Sequence, residues 1–479
     1  MLSKNSHNSS LINFLKRQFI LPVLVMICIL MGALYVFFEN FFLIFFPILI
    51  ISMIALPLIV RIKSDVFSIW SWIFYSSILG VFFRCLYIYF DLPNHNEIDT
   101  VFLLGRPKNF LFPAMILVFL GVLIMVIGYL TTKKKFILKN KIFTNHLWDE
   151  KRFFIVSISL MVISLFSLVT FINLQGGLFS IESMSSYRGV SDTLSEASTH
   201  SYLRLLVSFS GINMYLLTTW IICFKKRKFL SYALWIISFL TFVFFNFYIS
   251  QRGAIVFAMV QIIAISYYLN GYKLPKFKMF IGLLVSLVIF QIMSTIRNFK
   301  EVESNDVKFS VLKALEPAIL TTNMIDISKT AHIINAVPEK LNYQYGATLT
   351  TMFIAWIPRE FWPEKPVTNV DNTIGIKVFG ATTYGSGGVP PGIFAELYWN
   401  FWIPGVIIGC FLLGAFLKII NQTVNKNIEN PNMVLIYVIN FMFIGLAFLG
   451  SSFSSVLIGV LQTLIPTFLI LKLITKNIL

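Results

Sequence analysis

Charge is scarce in this sequence. Only 12% of its 479 residues are Asp, Glu, Lys or Arg, while 57% are apolar and the mean hydropathy is +0.81. That balance excludes an ordinary soluble globular domain. Cysteine is scarcer still: Cys28, Cys85, Cys223 and Cys410 stand singly in or at the ends of apolar stretches, which argues against a disulfide framework and against a cysteine metal site. A Walker loop, a dinucleotide fingerprint, zinc-ligand spacing, a Gly-x-Ser-x-Gly elbow and internal repeats are all missing. No motif therefore points to a nucleotide, a metal or another cofactor.

What is present is a succession of apolar runs of about 20 residues, each enough to cross about 30 Å of hydrocarbon as a helix. Twelve spans are expected, at 19–37, 41–60, 67–90, 110–130, 153–173, 203–224, 229–249, 253–270, 280–296, 397–419, 434–450 and 452–473. The first has the basic flank of a signal peptide but no small-residue cleavage site, so it reads as a retained helix. The expected fold class is an all-α, polytopic transmembrane helical bundle.

The net charge of +17 invites a nucleic-acid reading. Its distribution gives a different one. With the N-terminus in the cytoplasm, 23 basic and four acidic residues fall on the inner side, against 15 basic and 17 acidic on the outer side. This is the positive-inside asymmetry of a bacterial inner (cytoplasmic) membrane protein, with both termini inside. Basic inner loops resting on anionic lipid explain the excess, and membrane lipid rather than nucleic acid is the expected partner.

Most connections are short, but residues 297–396 form an outer loop of 100 residues between spans nine and ten. The chain thus divides into transmembrane regions at 1–296 and 397–479 and an extracytoplasmic loop subdomain at 297–396. A loop that long is expected to carry its own structure and fold over the outer face. Within it, 311–337 has apolar spacing suited to one or two amphipathic helices, and 347–357 is a second apolar stretch. IPREFWPEKP, 357–366, follows with three prolines, two glutamates, an arginine and a lysine. Its prolines predict a stiff, non-helical strap with Phe361 and Trp362 as interfacial anchors. GATTYGSGGVPPG, 380–392, reads either as a loop open to close approach by a ligand, with Tyr384 a candidate contact, or as a simple turn.

Seven of the 15 outer basic residues are arginine, against four of 23 inside. Lysine satisfies topology equally well, whereas arginine adds a planar fork for phosphate oxygens. Arg204, Arg252 and Arg297 sit at predicted outer helix ends, Arg84 lies within reach of that interface, and Arg359 lies in the proline strap. For Arg84 and Arg204, contact with ordinary lipid phosphates stays open beside substrate binding. Among carboxylates, Glu360 and Glu364 flank the aromatic pair, where an ion pair with a loop base is an equal reading. Glu396, where the loop enters span ten, is the preferred general base, with His332 as the large loop's histidine.

The order of QRG at 251–253, an outer-end Arg297, the loop with PREFWPEKP, GGVPPG and AELYWNFWIPG entering the next span resembles the oligosaccharide repeat unit polymerase (Wzy-type O-antigen polymerase) family. The likeness is clearest over 251–405. It implies a GT-C-like, metal-independent membrane glycosyltransferase joining polyprenyl-pyrophosphate-linked oligosaccharide repeat units at the outer face, with a chain-length regulator protein as partner. It also places Arg252, Arg297, Arg359 and Lys365 around the pyrophosphate and Glu396 or His332 near the acceptor. The paired Arg-to-Gly spacing of some polymerases is absent, so their loop-specific roles do not carry over. A ligase or a lipid-linked glycan flippase remains open from the residues alone.

Overall fold

The computed structural model describes residues 41–59, 65–89, 108–133, 147–174, 201–224, 228–249, 251–274, 327–355, 357, 361–362, 364–365, 370–380 and 388–476. Among these the regular elements are helices, joined by one isolated antiparallel bridge between Trp148 and Thr475. In chain order they are α1 (Phe42–Ile59), α2 (Ile69–Ser77, continued by a π-helical turn at Ile78–Phe83 and by Arg84–Tyr89), α3 (Lys108–Thr131), α4 (Glu150–Leu174), α5 (Ser201–Cys223), α6 (Lys228–Tyr248) and α7 (Arg252–Leu269). The helices of the long loop are α8 (Ile327–Ala336), α9 (Ala347–Ile354) and α10 (Val370–Lys377). They are followed by α11 (Ile393–Asn427), α12 (Pro431–Ile436, a π-helical turn at Tyr437–Phe441, and Ile444–Gly450) and α13 (Phe453–Ile474).

Nine described helices are long and apolar enough to cross a membrane, and Gly253–Leu269 is a shorter apolar one. The chain is therefore a multi-pass membrane protein. The predicted spans at 19–37 and 280–296 lie outside the described residues. Residues 327–336 are helical as the spacing of 311–337 predicts, 311–326 lies outside the described residues, and the second apolar stretch is helical over 347–354.

One end of the bundle is tied by hydrogen bonds between distant segments. Trp148 Nε1 donates to Asn432 Oδ1 at 2.7 Å, and Asp149 N donates to Ile474 O at 2.8 Å. Tyr268 Oη donates to the Asp65 carboxylate at 2.9 and 3.1 Å, and Tyr437 Oη to Phe67 O at 2.7 Å. Lys133, Arg152, Lys426 and Lys476 flank helix termini at this end. The opposite end is closed by α8, α9, α10 and the α12–α13 junction.

Polar contacts join helices within the apolar interior, where an unmet donor or acceptor has no water to fall back on. Asn213 Nδ2 donates to Ser157 O and Ser238 Oγ, joining α5 to α4 and α6. Tyr215 Oη donates to Gln261 Oε1 at 2.5 Å, and Gln261 Nε2 donates to Val438 O inside the π-helical turn of α12 at 2.8 Å.

The most extensive helix pair among the described residues is α3 against α11. Small residues make that approach possible. A Cβ on Gly414 would overlap the Met125 carbonyl, and one on Gly128 would overlap the Phe411 carbonyl, so each helix offers a glycine where the other's backbone passes. Close backbone approach through small residues replaces the hydrophobic drive that is missing in lipid. The described part of the outer loop joins this core, because Ile327 and Ala331 of α8 are buried with α3 and α11.

This packing predicts that Gly414→Leu and Gly128→Leu lower stability by at least about 1–3 kcal/mol, read as a fall in thermal midpoint of the detergent-solubilised protein. Gly459→Leu, where a Cβ meets nothing within 4 Å, leaves the midpoint unchanged. Equal midpoints in all three variants would contradict the close crossing.

Candidate functional site

The site begins with a break in α11. Pro404 has no N–H for the carbonyl four residues back, and Phe401 (φ −142°, ψ 20°) and Trp402 (φ 55°, ψ −149°) leave helical geometry. The carbonyls this releases are taken by another segment: Gln344 N donates to Trp399 O and Tyr345 N to Asn400 O, both at 3.1 Å. The Asn400 side chain completes the dock. Its Oδ1 accepts from Gly346 N at 2.9 Å, and its Nδ2 donates to Thr348 Oγ1 at 2.7 Å and to Glu396 O at 2.8 Å. The turn that starts α9 is thereby fixed against the short helical piece 393–400.

Upstream, Gly392 has φ +71°, and a Cβ there would lie 2.5 Å from Leu449 O, so only glycine lets the chain enter α11 beside the end of α12. Three elements therefore meet around Glu396, whose side chain is 0% exposed. One carboxylate oxygen accepts from Thr348 Oγ1 at 2.8 Å, and the other accepts from Phe453 N at 2.6 Å, in the first turn of α13. A helix N-terminus carries about half a positive charge, which suits an acceptor placed there. Ser454 Oγ also donates to Thr348 O at 2.6 Å, binding α13 to α9.

Two further charged side chains stand beside this network, one buried and one half-buried. Lys329 of α8, 1% exposed, donates from Nζ to Gly450 O at 2.9 Å. Asp371 of α10 lies within electrostatic reach of both Lys329 and Glu396. Burial raises the Asp371 carboxyl above its ordinary range, while the Ser452 hydroxyl and the Lys329 ammonium pull it back. Such charges are tolerable because they compensate one another and the N-terminus of α13 adds positive potential. His332, one turn after Lys329 on α8, is also buried and stands edge-on to Phe379 with centroids 4.9 Å apart. The arrangement offers carboxylate acceptors, one ammonium and hydroxyl donors in a space shielded from water, a setting suited to moving a proton.

Of the residues singled out from sequence, Glu396 and His332 lie in this region. Lys365 does not hold its ammonium toward it: Nζ donates to Ala355 O at 3.0 Å and Ile357 O at 2.8 Å, finishing the last turn of α9. Phe361 and Trp362 in the strap are exposed, at 82% and 37%. Arg84 is buried directly after the π-helical turn of α2. Arg204 stacks its guanidinium 5.5 Å from the Phe171 ring centroid, in a cluster with Phe245, Tyr248 and Ile249. Arg252 opens α7 close to that corner, but its side chain lies outside the described residues. Arg297, Arg359, Glu360 and Tyr384 also lie outside them.

Lys329, Thr348, Asp371 and Asn400 escaped sequence reading. Two weak signals were available. Glu396 and Asn400 are four apart and share a helix face, as do Lys329 and His332 at three.

The family model for the O-antigen polysaccharide polymerase Wzy matches residues 19–478, and the chain belongs to that family. No curated protein and no solved structure matches it. Its function is repeat-unit polymerisation, acting on lipid-linked oligosaccharide repeat units in a membrane, and a ligase or flippase reading is not favoured.

Asn400→Leu strips the Gly346 N–H of its acceptor and the Thr348 hydroxyl, which still donates to Glu396, of its donor. A loss of about 1–3 kcal/mol per buried unmet group is expected, with new protease cleavage at 342–348 and a lower thermal midpoint. Unchanged cleavage and midpoint would show that the turn is held by other means.

Proposed function

We propose that this member of the O-antigen polysaccharide polymerase family performs a GT-C-like glycosyl transfer between polyprenyl-pyrophosphate-linked repeat units at the outer face of the bacterial inner membrane. The observation that carries this reading is the group formed by the buried Lys329 and Glu396 and the half-buried Asp371 at the end of the bundle opposite the basic helix termini. With basic termini cytoplasmic, this group faces outward, both chain ends are inside and the full count is twelve spans. The domain division is 1–296, 297–396 and 397–479, with the loop subdomain supplying α8, α9 and α10 to the site.

The donor is a glycan already activated as a pyrophosphate ester. An acceptor hydroxyl attacks its anomeric carbon, the new C–O bond forms, and the bond to pyrophosphate breaks with its electron pair staying on phosphate. The charge that grows on the leaving group needs fixed donors, and Arg252, Arg297 and Arg359 are the arginines proposed for it, in place of a metal. Arg84 and Arg204 line the approach. Lys365, which also donates to Ala355 O and Ile357 O, is proposed as a weaker fourth contact to the pyrophosphate. Tyr384 belongs to the Gly-Pro segment proposed to border the sugar. A carboxylate of the group around Glu396 and His332 accepts the hydroxyl proton. Family membership is also the ground for proposing a chain-length regulator as partner.

Deleting the gene should leave surface glycan of single repeats, whereas a flippase would leave undecorated repeats trapped inside. In the complemented strain, Arg252→Lys, Arg297→Lys and Arg359→Lys keep charge but lose the fork, and each should collapse chain length as turnover drops by about 10²-fold. Normal lengths in all three at normal protein level would overturn the arginine clamp.

A further inference from the structure

The three charged side chains of the site, Lys329, Asp371 and Glu396, are not equivalent. Both oxygens of Glu396 accept hydrogen bonds, from Thr348 Oγ1 and Phe453 N, and these bonds fasten α9 and α13 to α11. Lys329 reaches the Gly450 carbonyl. Asp371 differs: its Oδ1 is buried and has no hydrogen-bond donor among the described residues. An ionised carboxylate can only accept, and leaving such an oxygen undonated in a shielded place is unfavourable.

The surroundings of Asp371 also fit a substrate contact. Its main-chain carbonyl accepts from Val389 N at 3.0 Å, which sets it against the Gly-Pro segment leading into Gly392. The residue facing its Cβ there is Gly388, which has no side chain to cover the carboxylate; a Cβ on Gly388 would sit 3.7 Å from that of Asp371 and 3.1 Å from Asn372 Oδ1. A sugar hydroxyl brings the one thing Oδ1 lacks, an O–H donor.

We propose that Asp371 is the proton acceptor for the attacking sugar hydroxyl, with Glu396 a positioning residue that fixes the start of α13. This rests on the polymerase reading above. As the acceptor oxygen bonds to the anomeric carbon, its proton passes to Asp371 Oδ1. The carbon–oxygen bond to the polyprenyl pyrophosphate breaks with both electrons on the leaving group. The nearby Lys329 ammonium favours the ionised carboxylate before the step and is retained throughout.

A double-mutant comparison of Lys329→Met, Asp371→Asn and the pair, in the full-length protein in a deletion strain, separates chemistry from scaffolding. Removing one member of a buried charge pair destabilises by stranding the other, whereas removing both is often neutral. Asp371→Asn should cut chain extension by about 10²–10⁴-fold. The double variant should regain wild-type protein level without regaining polymer. Polymer in the double variant at a tenth of wild type or more would overturn the assignment and leave the pair a structural strut. Should the double variant fail to accumulate, Asp371→Glu decides: it keeps the charge balance, so normal protein with turnover reduced at least tenfold and KM little changed is expected, and unchanged turnover overturns the proposal. If wild-type protein itself fails to lengthen glycan in the deletion strain, the polymerase reading falls. If wild type and double variant both lengthen it, only the role of Asp371 does.

Discussion

Pro404 cannot donate to Asn400 O, and the end of this molecule that holds the site is organised around the consequence. A released carbonyl inside a membrane protein must find another donor, because the apolar surroundings supply none. Here Gln344 and Tyr345 supply the donors for Trp399 and Asn400, and the bent helix thereby becomes a docking edge for the loop. The strained backbone at Trp402 costs on the order of 1–3 kcal/mol. Two backbone hydrogen bonds and three from the Asn400 side chain offset it.

From that edge the arrangement propagates through named contacts. Asn400 orients Thr348, Thr348 donates to Glu396, and Glu396 holds the first turn of α13. The α12–α13 junction in turn supplies Gly450 O to Lys329. Elements from opposite ends of the long loop and from the last span are thus locked into one polar core, in which Asp371 retains an unused acceptor. A polymerase that joins activated glycans calls for such a place: dry enough to sharpen electrostatics, and organised before substrate arrives.

The membrane helices were legible in the sequence because about 20 consecutive apolar residues leave few alternatives to a span. Helix α8 was legible from the spacing around Ile327, and α9 from the apolar run after Tyr345. The break in α11 was less so: AELYWNFWIPG was expected to enter its span at 397, whereas the helix begins at Ile393 and breaks beside Pro404. The polar core was only half legible. Glu396 stood out as a charge at a span boundary, but Lys329 and Asp371 are brought together by tertiary packing across the loop, and no local pattern announces such a pairing. Lys365 shows the same. Its contacts with the carbonyls of Ala355 and Ile357 at the end of α9 are tertiary details that its place among prolines and glutamates does not announce.

The most direct measurement is an experimental structure of the protein with a polyprenyl-pyrophosphate-linked repeat unit bound. The pyrophosphate should lie within hydrogen-bond reach of Arg252, Arg297 and Arg359, and a sugar hydroxyl should lie within about 3.2 Å of Asp371 Oδ1. A pyrophosphate seated away from those arginines, with the sugar distant from the core that Lys329, Asp371 and Glu396 share, would contradict the site.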